Sequence, residues 1–456
     1  MVNDKSKFIE EGNISKVLMK LAVPSIIAML ISAVYNIVDT LFVSMLNNTS
    51  AIGAVSIVFP LFILVSAFGQ MFGVGSASYI SRLLGEKNRE KANKTASVTF
   101  FTAIITSVFF TAFGMIFIEE ILKIFGASST IMPYAKGYGF ILVSGSIFTI
   151  LNMTLNNMIR AEGNAKYSMI AISLGAILNI VLDPIFMFTF KLGINGASLA
   201  TVVAQGISTF FLIMYYIRGK SYVKISLKRF RPSLSIYKEI LKIGVATLGR
   251  QSLSSLSMAL MNIAAKPYGD AAVASMGIVL RVISIAMFVI FGYNQGFQPV
   301  VGYNYGAKRY DRVIDAIKIS LKRTTIFCSI CAIIFVFFST FIISAFSDDL
   351  KVIEIGSKTL RIMSILLPSF GFQQVYASLF QALGRGKESI VLSTSKQGIF
   401  LIPSVLILPR IFGLEGVMFS NTVADFFTIV VTLFLSIKIS KELKKLGNSN
   451  KELELA

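Results

Sequence analysis

Apolar stretches of about 20 residues or more recur along the whole chain, and as helices each is long enough to cross a hydrocarbon layer roughly 30 Å thick. The 456 residues are 55% hydrophobic and only 14% charged, whereas roughly a quarter of the residues of a soluble protein carry charge. The runs do not alternate as the strands of a membrane barrel would. The sequence therefore predicts an all-α integral membrane protein.

Twelve transmembrane helices are predicted. The first is too long for a signal peptide, lacks a small-residue cleavage site and is followed at once by another span. The predicted spans are 16–45, 52–80, 94–118, 132–159, 166–190, 194–217, 236–265, 270–300, 313–345, 356–383, 388–409 and 416–438.

The chain also resembles itself at a constant distance. Glycines of GVGSASYISRLLGEK and RAEGNAK recur 221 residues later in GFQPVVGYNYGAK and QALGRGK, and GLEGVM follows GINGAS at 220. This offset predicts two six-helix lobes related by pseudo-two-fold symmetry along the membrane normal. We assign residues 1–217 to the N-lobe, 218–235 to a cytoplasmic linker, 236–440 to the C-lobe and 441–456 to a cytoplasmic tail.

Most of the 43 lysines and arginines fall in the termini and in the loops after even-numbered spans. Because short basic loops stay in the cytoplasm, both termini are predicted to be cytoplasmic. The net charge of +20 then faces anionic membrane lipid, and no nucleic acid partner is needed to explain it.

Of the 23 acidic residues, only Asp39, Asp183 and Asp425 lie well inside predicted spans. Each such carboxylate costs roughly 2.5 to 3.5 kcal/mol on insertion scales, so an intramembrane acid is a functional-site hypothesis by default.

Helix geometry places two of these acids at one depth. Asp39 and Asp183 lie about seven residues from the outer ends of the first and fifth spans, and Tyr138 and Thr201 about seven residues into the fourth and sixth. Asn179 is one turn below Asp183 on the same face. These five residues, which we call the polar cluster, are predicted to lie about 10 Å below the outer surface, where they could bind H⁺ or Na⁺.

A hydrogen-bond network that only joins helices is the alternative interpretation of the polar cluster. Two aspartates at matching depth favour ion binding, because helix association does not require negative charge. Pro184 would free a backbone carbonyl one turn earlier for the ion, and Pro24 offers a hinge in the first span.

The six-plus-six repeat, the phrases VDTLFV and LNIVLDP, and the pair GINGAS and GLEGVM resemble the multidrug and toxic compound extrusion (MATE) family over residues 10–440. The loop SRLLGEKNREKA is similar to its bacterial MepA-like and DinF-like branch. The resemblance implies an antiporter of the bacterial plasma membrane that exports amphipathic, mostly cationic small molecules in exchange for H⁺ or Na⁺ by alternating access. It implies no enzyme activity and no cofactor.

The resemblance also assigns roles to residues. It gives the five residues of the polar cluster to the cation site of the N-lobe, and Pro24 to the position at which the first helix bends on protonation. Another branch of the family has acids in the seventh and tenth spans. Here the stretches RQSLSSLSMALMN and SFGFQQVYASLFQ of those spans contain no acid, so a Na⁺ site in the C-lobe is not expected.

The cleft between the lobes is harder to assign. Asp425, whose repeat partner is Gln205, could either attract cationic substrates or pair with Arg281, Lys396 or another basic residue. Candidate substrate contacts are polar residues of the seventh, eighth and tenth spans: Asn262, Asn294, Gln295, Gln373 and Gln374.

Two other classes of protein remain as alternatives. A lipid-linked oligosaccharide flippase of the same superfamily would need a basic cleft, for which Arg250, Arg281, Arg361 and Lys396 are available. An intramembrane enzyme or a receptor is disfavoured, since the chain has no histidine, no phosphate-binding loop and no signalling domain. We expect no metal site, and a complete two-lobed cleft in one chain predicts a monomer.

Overall fold

The computed structural model describes residues 9–46 and 48–455, and the secondary structure of these residues is helical. Twelve segments run across the bundle. In chain order they are α1 (Ile14–Ser44), α2 (Thr49–Gly85), α3 (Arg89–Ile116), α4 (Met132–Ser144 and Ser146–Ala161), α5 (Ala165–Thr189), α6 (Ile194–Ile217), α7 (Leu234–Ala265), α8 (Asp270–Gly306), α9 (Tyr310–Phe337), α10 (Leu350–Ser364 and Leu367–Ala382), α11 (from Gly386 to a break at Gly413) and α12 (from that break to Leu455).

The predicted twelve-helix fold is confirmed, although not every segment is uniformly apolar. Within the described part of the chain, eight helices are long and apolar enough to cross a membrane, or nine when the two halves of α4, bent by 47°, count as one span. One of the eight, Gly386–Asn450, is 65 residues long and is interrupted at Gly413, where φ is +59°, so it forms two segments. The more polar α7 and α10 complete the set.

The internal repeat is visible in the helix ends. Helix α2 runs from Thr49 to Gly85 and α8 from Asp270 to Gly306, so both ends are 221 residues apart. The lysines that follow, Lys87 and Lys308, share a positive φ of 58°. The same backbone turn is therefore built twice.

Two features differ from the predicted spans. Residues predicted as a tail after 440 continue α12 as helix to Leu455. Helix α5 changes from α-helix to π-helix directly after Pro184, over Ile185–Thr189. Pro184 lacks an N–H, so it leaves the carbonyl one turn earlier without its regular partner.

The lobes meet where glycines replace side chains. Helix α1 packs against α8, and α2 against α7. A Cβ on Gly75 would lie 2.2 Å from the carbonyl oxygen of Ile240, and a Cβ on Gly296 would lie 2.5 Å from the nitrogen of Ala22. Glycine alone lets the backbones approach this closely.

We call the end of the bundle that carries residue 9 and the segment 218–233 the terminal face. There Arg82 forms an ion pair with Glu239 of the other lobe at 2.8 Å, and the Ser78 hydroxyl donates to the backbone carbonyl of Gln381. The lobes are thus joined at the terminal face.

Candidate ion-coupling site and central cavity

Two carboxyl groups meet inside the N-lobe. Asp39 of α1 is half-buried and Asp183 of α5 is fully buried, and their carboxyl groups lie within hydrogen-bonding distance of each other. In the part of the chain that the structure describes, neither forms an ion pair with a basic side chain. Two adjacent carboxylates repel each other strongly out of water, so the pair requires a proton or a cation.

Asn179 and Thr201 complete one side of this pair. The Asn179 amide lies 3.2 Å from the Thr201 hydroxyl. With its nitrogen turned toward the acid, it donates to Oδ2 of Asp183 at 2.9 Å and its oxygen accepts from Thr201. The other oxygen of Asp183, Oδ1, is buried without a hydrogen-bond partner. Such an orphaned acceptor fits a site that takes up a proton or a hard cation.

Two tyrosines lie beside the pair. Tyr138 of α4, predicted as part of the polar cluster, is buried and close enough to Asp39 to interact electrostatically. Tyr35 of α1 was missed by the sequence reasoning. Its hydroxyl lies close to Thr201 and to both carboxyl groups, and its spacing of four residues from Asp39, on the same helix face, was the available signal. The structure therefore brings all five predicted residues together and adds a sixth.

A cavity of about 220 Å³ leads from this cluster into the N-lobe, and we call it the N-lobe cavity. It reaches from Asn179 and Thr201 to Arg160, and Tyr35 contributes to its wall.

The two prolines, Pro184 and Pro24, differ in their effect on the helix that contains them. Pro184 ends the α-helical part of α5 directly after Asp183, whereas α1 continues as helix through Pro24. The hinge role of Pro24 stays a prediction.

A larger cavity of about 400 Å³ lies between the lobes, and we call it the central cavity. Of the predicted substrate contacts, four line it: Asn294, Gln295, Gln373 and Gln374. Asn262 does not. It is exposed near the end of α7 that lies away from the terminal face, and its role as a substrate contact stays a prediction.

Asp425 lies behind the cavity wall. It forms an ion pair with Lys396 of α11, with Nζ 2.7 Å from Oδ1, and the two side chains are only 12% and 11% exposed. Lys396 lines the central cavity, whereas Asp425 is absent from its wall. Of the two expectations for Asp425, pairing with a basic residue is the one that the structure shows, and the partner is Lys396.

The two cavities share a wall. Met29, Gln70, Asn157 and Gln295 each line both the central cavity and the N-lobe cavity. Helix α1 carries both Met29 and Asp39. Movement of α1, or of the four shared side chains, would therefore change the shape of both cavities. Two lobes around a central cavity, with a carboxyl pair buried in one of them, define the class of a membrane transporter.

Comparison with known proteins gives the family. The family model described as MatE matches residues 24–185 and 247–406, which cover both lobes. The chain therefore belongs to the MATE family, whose members are transporters and not enzymes.

Similar proteins agree with this assignment. The chain is 29% identical to the multidrug export protein MepA of Staphylococcus haemolyticus, over 97% of this chain and 98% of that protein. A MOP-superfamily transporter from Pyrococcus furiosus, for which a pocket of reverse polarity and a different function are suggested, is 26% identical with a TM-score of 0.90, over 96% of this chain and 98% of that one. An outward-facing multidrug-resistance MATE transporter gives the same values.

Proposed function

We propose that the chain is a secondary active multidrug efflux antiporter that exports amphipathic, mostly cationic compounds in exchange for H⁺ or Na⁺, without a cofactor. The similarity to multidrug export proteins supports the cargo. It works as a monomer in a bacterial plasma membrane, with both termini cytoplasmic, because each chain holds a complete cleft and the terminal face carries most of the basic residues.

The observation that carries this proposal is the unpaired carboxyl pair of Asp39 and Asp183. A pair without a basic partner gains from an external proton or Na⁺, and the orphaned Oδ1 of Asp183 gives the ion an acceptor. Because Asp39 lies on α1, a change of charge at the pair acts on the same helix that places Met29 in the central cavity. Ion binding and substrate binding are thereby coupled.

Alternating access follows from the position of the lobe contacts. The described state joins the lobes at the terminal face through close glycine contacts and the ion pair of Arg82 with Glu239. Opening of that face separates these contacts, and Pro24 of α1 lies at the same crossing of the lobes, since Ile26 packs on Gly292. We infer that ion binding biases the equilibrium between the two states.

Efflux of ethidium from proteoliposomes of known orientation, with pH and Na⁺ gradients imposed separately, tests the proposal. The native chain should follow one of the gradients, and Asp183→Asn should lose about tenfold or more of the gradient-driven rate, since an amide cannot exchange a proton. Asp270→Asn is the matched control, because Asp270 is exposed at the start of α8.

Normal transport by Asp183→Asn under both gradients would contradict ion coupling at this pair and make the polar cluster a helix-joining network. Two of the four basic residues on which the flippase alternative depends do not line the central cavity. Arg361 donates to Ser339 and Thr340 instead, and Arg281 is absent from the central cavity wall. Transport of lipid in the absence of drug would support the flippase alternative.

A further inference from the structure

The side chains that line the central cavity carry an unexpected balance of charge for a transporter of cations. Of the described residues that line it, two are basic, Arg250 of α7 and Lys396 of α11, and none is an aspartate or a glutamate. The nearest acid, Asp425, lies behind Lys396 and is already paired with it. The cavity therefore presents positive charge to whatever enters it.

Arg250 is the basic residue that is available to a ligand. Within the described residues it forms no ion pair with a carboxylate. Its guanidinium lies 5.6 Å from the centre of the Phe291 ring, so a π face is its shown partner. A guanidinium prefers planar, bidentate carboxylate or phosphate partners, and it is more weakly hydrated than an ammonium group.

Aromatic rings connect Arg250 to Lys396. Phe291 packs edge-on against Phe370 with ring centres 5.9 Å apart, and Lys396 lies 5.3 Å from the centre of the Phe370 ring. The cavity thus offers an apolar aromatic surface with a positive charge at each end. A flat amphiphile with one acidic group matches this surface.

Uncharged amides supply the rest of the polar wall. Asn294 is 5% exposed, and its side-chain oxygen has no hydrogen-bond partner. Gln295 Oε1 and Gln298 Nε2 are also buried without partners. These amides offer both donors and acceptors but carry no net charge, so they do not offset the positive charge.

From this lining we propose that the central cavity contains an anion-accepting subsite at Arg250, so that the transporter accepts amphiphiles carrying a carboxylate or phosphate, zwitterions included. The subsite rests on the proposed function and extends the substrate range beyond simple cations. A purely cationic ligand meets no free carboxylate in this cavity and has to displace Lys396 before it can reach Asp425.

Binding of a matched dye pair tests the subsite without relying on transport. The pair is a rhodamine with a free benzoate and the methyl ester of the same dye, which differ only in the acidic group. Fluorescence titration of the purified protein in detergent should give a dissociation constant about tenfold lower for the acid, the size expected of one charge-assisted hydrogen bond. Arg250→Gln should abolish this preference by weakening binding of the acid, without weakening binding of the cationic ester.

Two further variants make the result decisive. Arg250→Lys keeps the charge and should retain most of the preference, which also covers the case in which the glutamine variant does not fold. Arg281→Gln, on the neighbouring helix but absent from the cavity wall, should behave as the native chain. Equal binding of acid and ester by the native chain, or an equal loss of both in Arg250→Gln, would overturn the proposal.

The source of the anionic group is settled by competition. If a polyprenyl phosphate displaces the acidic dye from the native chain and from Arg250→Lys but not from Arg250→Gln, the subsite serves a lipid phosphate. If it fails to compete, the subsite serves water-soluble amphiphiles. Because binding is read directly, normal gradient-driven transport by Asp183→Asn would leave these results unchanged and would count only against the antiport mechanism.

Discussion

Among the residues that the structure describes, two carboxyl groups of the N-lobe lie against each other without an ion pair to a basic side chain, whereas the buried acid of the C-lobe, Asp425, lies 2.7 Å from Lys396. The repeat makes the contrast sharp, because the position of Asp425 corresponds to Gln205 of the N-lobe cavity wall. The position of Lys396 corresponds to Gly175 or Ala176, which line the same cavity. In the C-lobe, the ion pair of Lys396 and Asp425 thus occupies the space that stays open as a cavity in the N-lobe.

This difference has a direct consequence for mechanism. A buried acid that already has a lysine gains little from an external cation, while a carboxyl pair without one gains much. Two copies of one fold can therefore divide the work, with the N-lobe exchanging the ion and the C-lobe wall presenting fixed charge to the cargo. The comparison can be tested by changing either lobe.

Removal of Lys396 should give the largest effect on stability. Lys396→Met leaves Asp425 buried and unpaired, and breaking a buried pair in this way costs about 3 to 5 kcal/mol. Asp425→Asn in the same chain should recover most of the loss, because the unpaired charge is gone. Unfolding in detergent measures both.

Lys358→Met is the matched control for this experiment. Lys358 pairs with Glu415, but the two side chains are 53% and 56% exposed, and exposed pairs contribute about 0 to 1 kcal/mol. A Lys396→Met protein as stable as the native chain would remove the contrast between the lobes.

A second difference between the lobes lies in the loops that follow α4 and α10. Glu162 is buried outside the membrane-spanning helices, while its repeat partner is the apolar Leu383. The Glu162 carboxylate accepts from the Ser221 hydroxyl at 2.8 Å and from the Tyr222 N–H at 2.7 Å. Burial nevertheless raises the pKa of Glu162 from 4.5 to about 7.

Stability should therefore depend on pH through Glu162. Its pKa is higher in the folded chain than in the unfolded one, so the folded state binds the proton more tightly. The stabilisation is full below about pH 4.5 and is lost as the pH rises through about 7, on the order of 3 kcal/mol in total. Thermal unfolding should occur at a higher temperature near pH 5.5 than near pH 8, and Glu162→Gln should flatten this dependence. If the Glu162→Gln protein keeps the full pH dependence of stability, another titratable group causes that dependence.

The smallest expected effect is at a place where the lobes are alike. A Cβ on Gly306 would lie 2.1 Å from the carbonyl oxygen of Arg82, and one on its repeat partner Gly85 would lie 2.0 Å from that of Tyr303. Either alanine substitution should cost about 1 to 3 kcal/mol through overpacking, by similar amounts in the two lobes. Gly277→Ala, on the same helix as Gly306, meets nothing within 4 Å and serves as the control. Unequal losses for Gly85→Ala and Gly306→Ala, measured by unfolding, would show that the terminal face is not symmetric.

Much of the fold and part of the site could be predicted from the sequence. The depth of Asp39, Asp183, Tyr138 and Thr201 follows from residue counts along helices of fixed rise, and the structure brings these residues together. Depth alone does not give the direction in which a side chain points. That is why the sequence could not show that Asn294 lines the central cavity while Asn262 does not.

The partner of Asp425 illustrates the remaining limit. Arg281 and Lys396 were both basic and both inside predicted spans, and nothing in their spacing from Asp425 separates them. The packing of α11 on α12, with the π-helix Ser395–Leu401 at the contact, selects Lys396. A choice between two long-range partners depends on which helices become neighbours.

The sequence by itself determined the membrane setting, the twelve helices, the internal repeat and the depth of the acids, because these follow from hydrophobic length, helix rise and a constant offset. The tertiary structure decided which acids stay unpaired, which side chains line the central cavity and that its wall is basic. These properties depend on the rotation and the neighbours of each helix, which are fixed by packing between residues far apart in the chain.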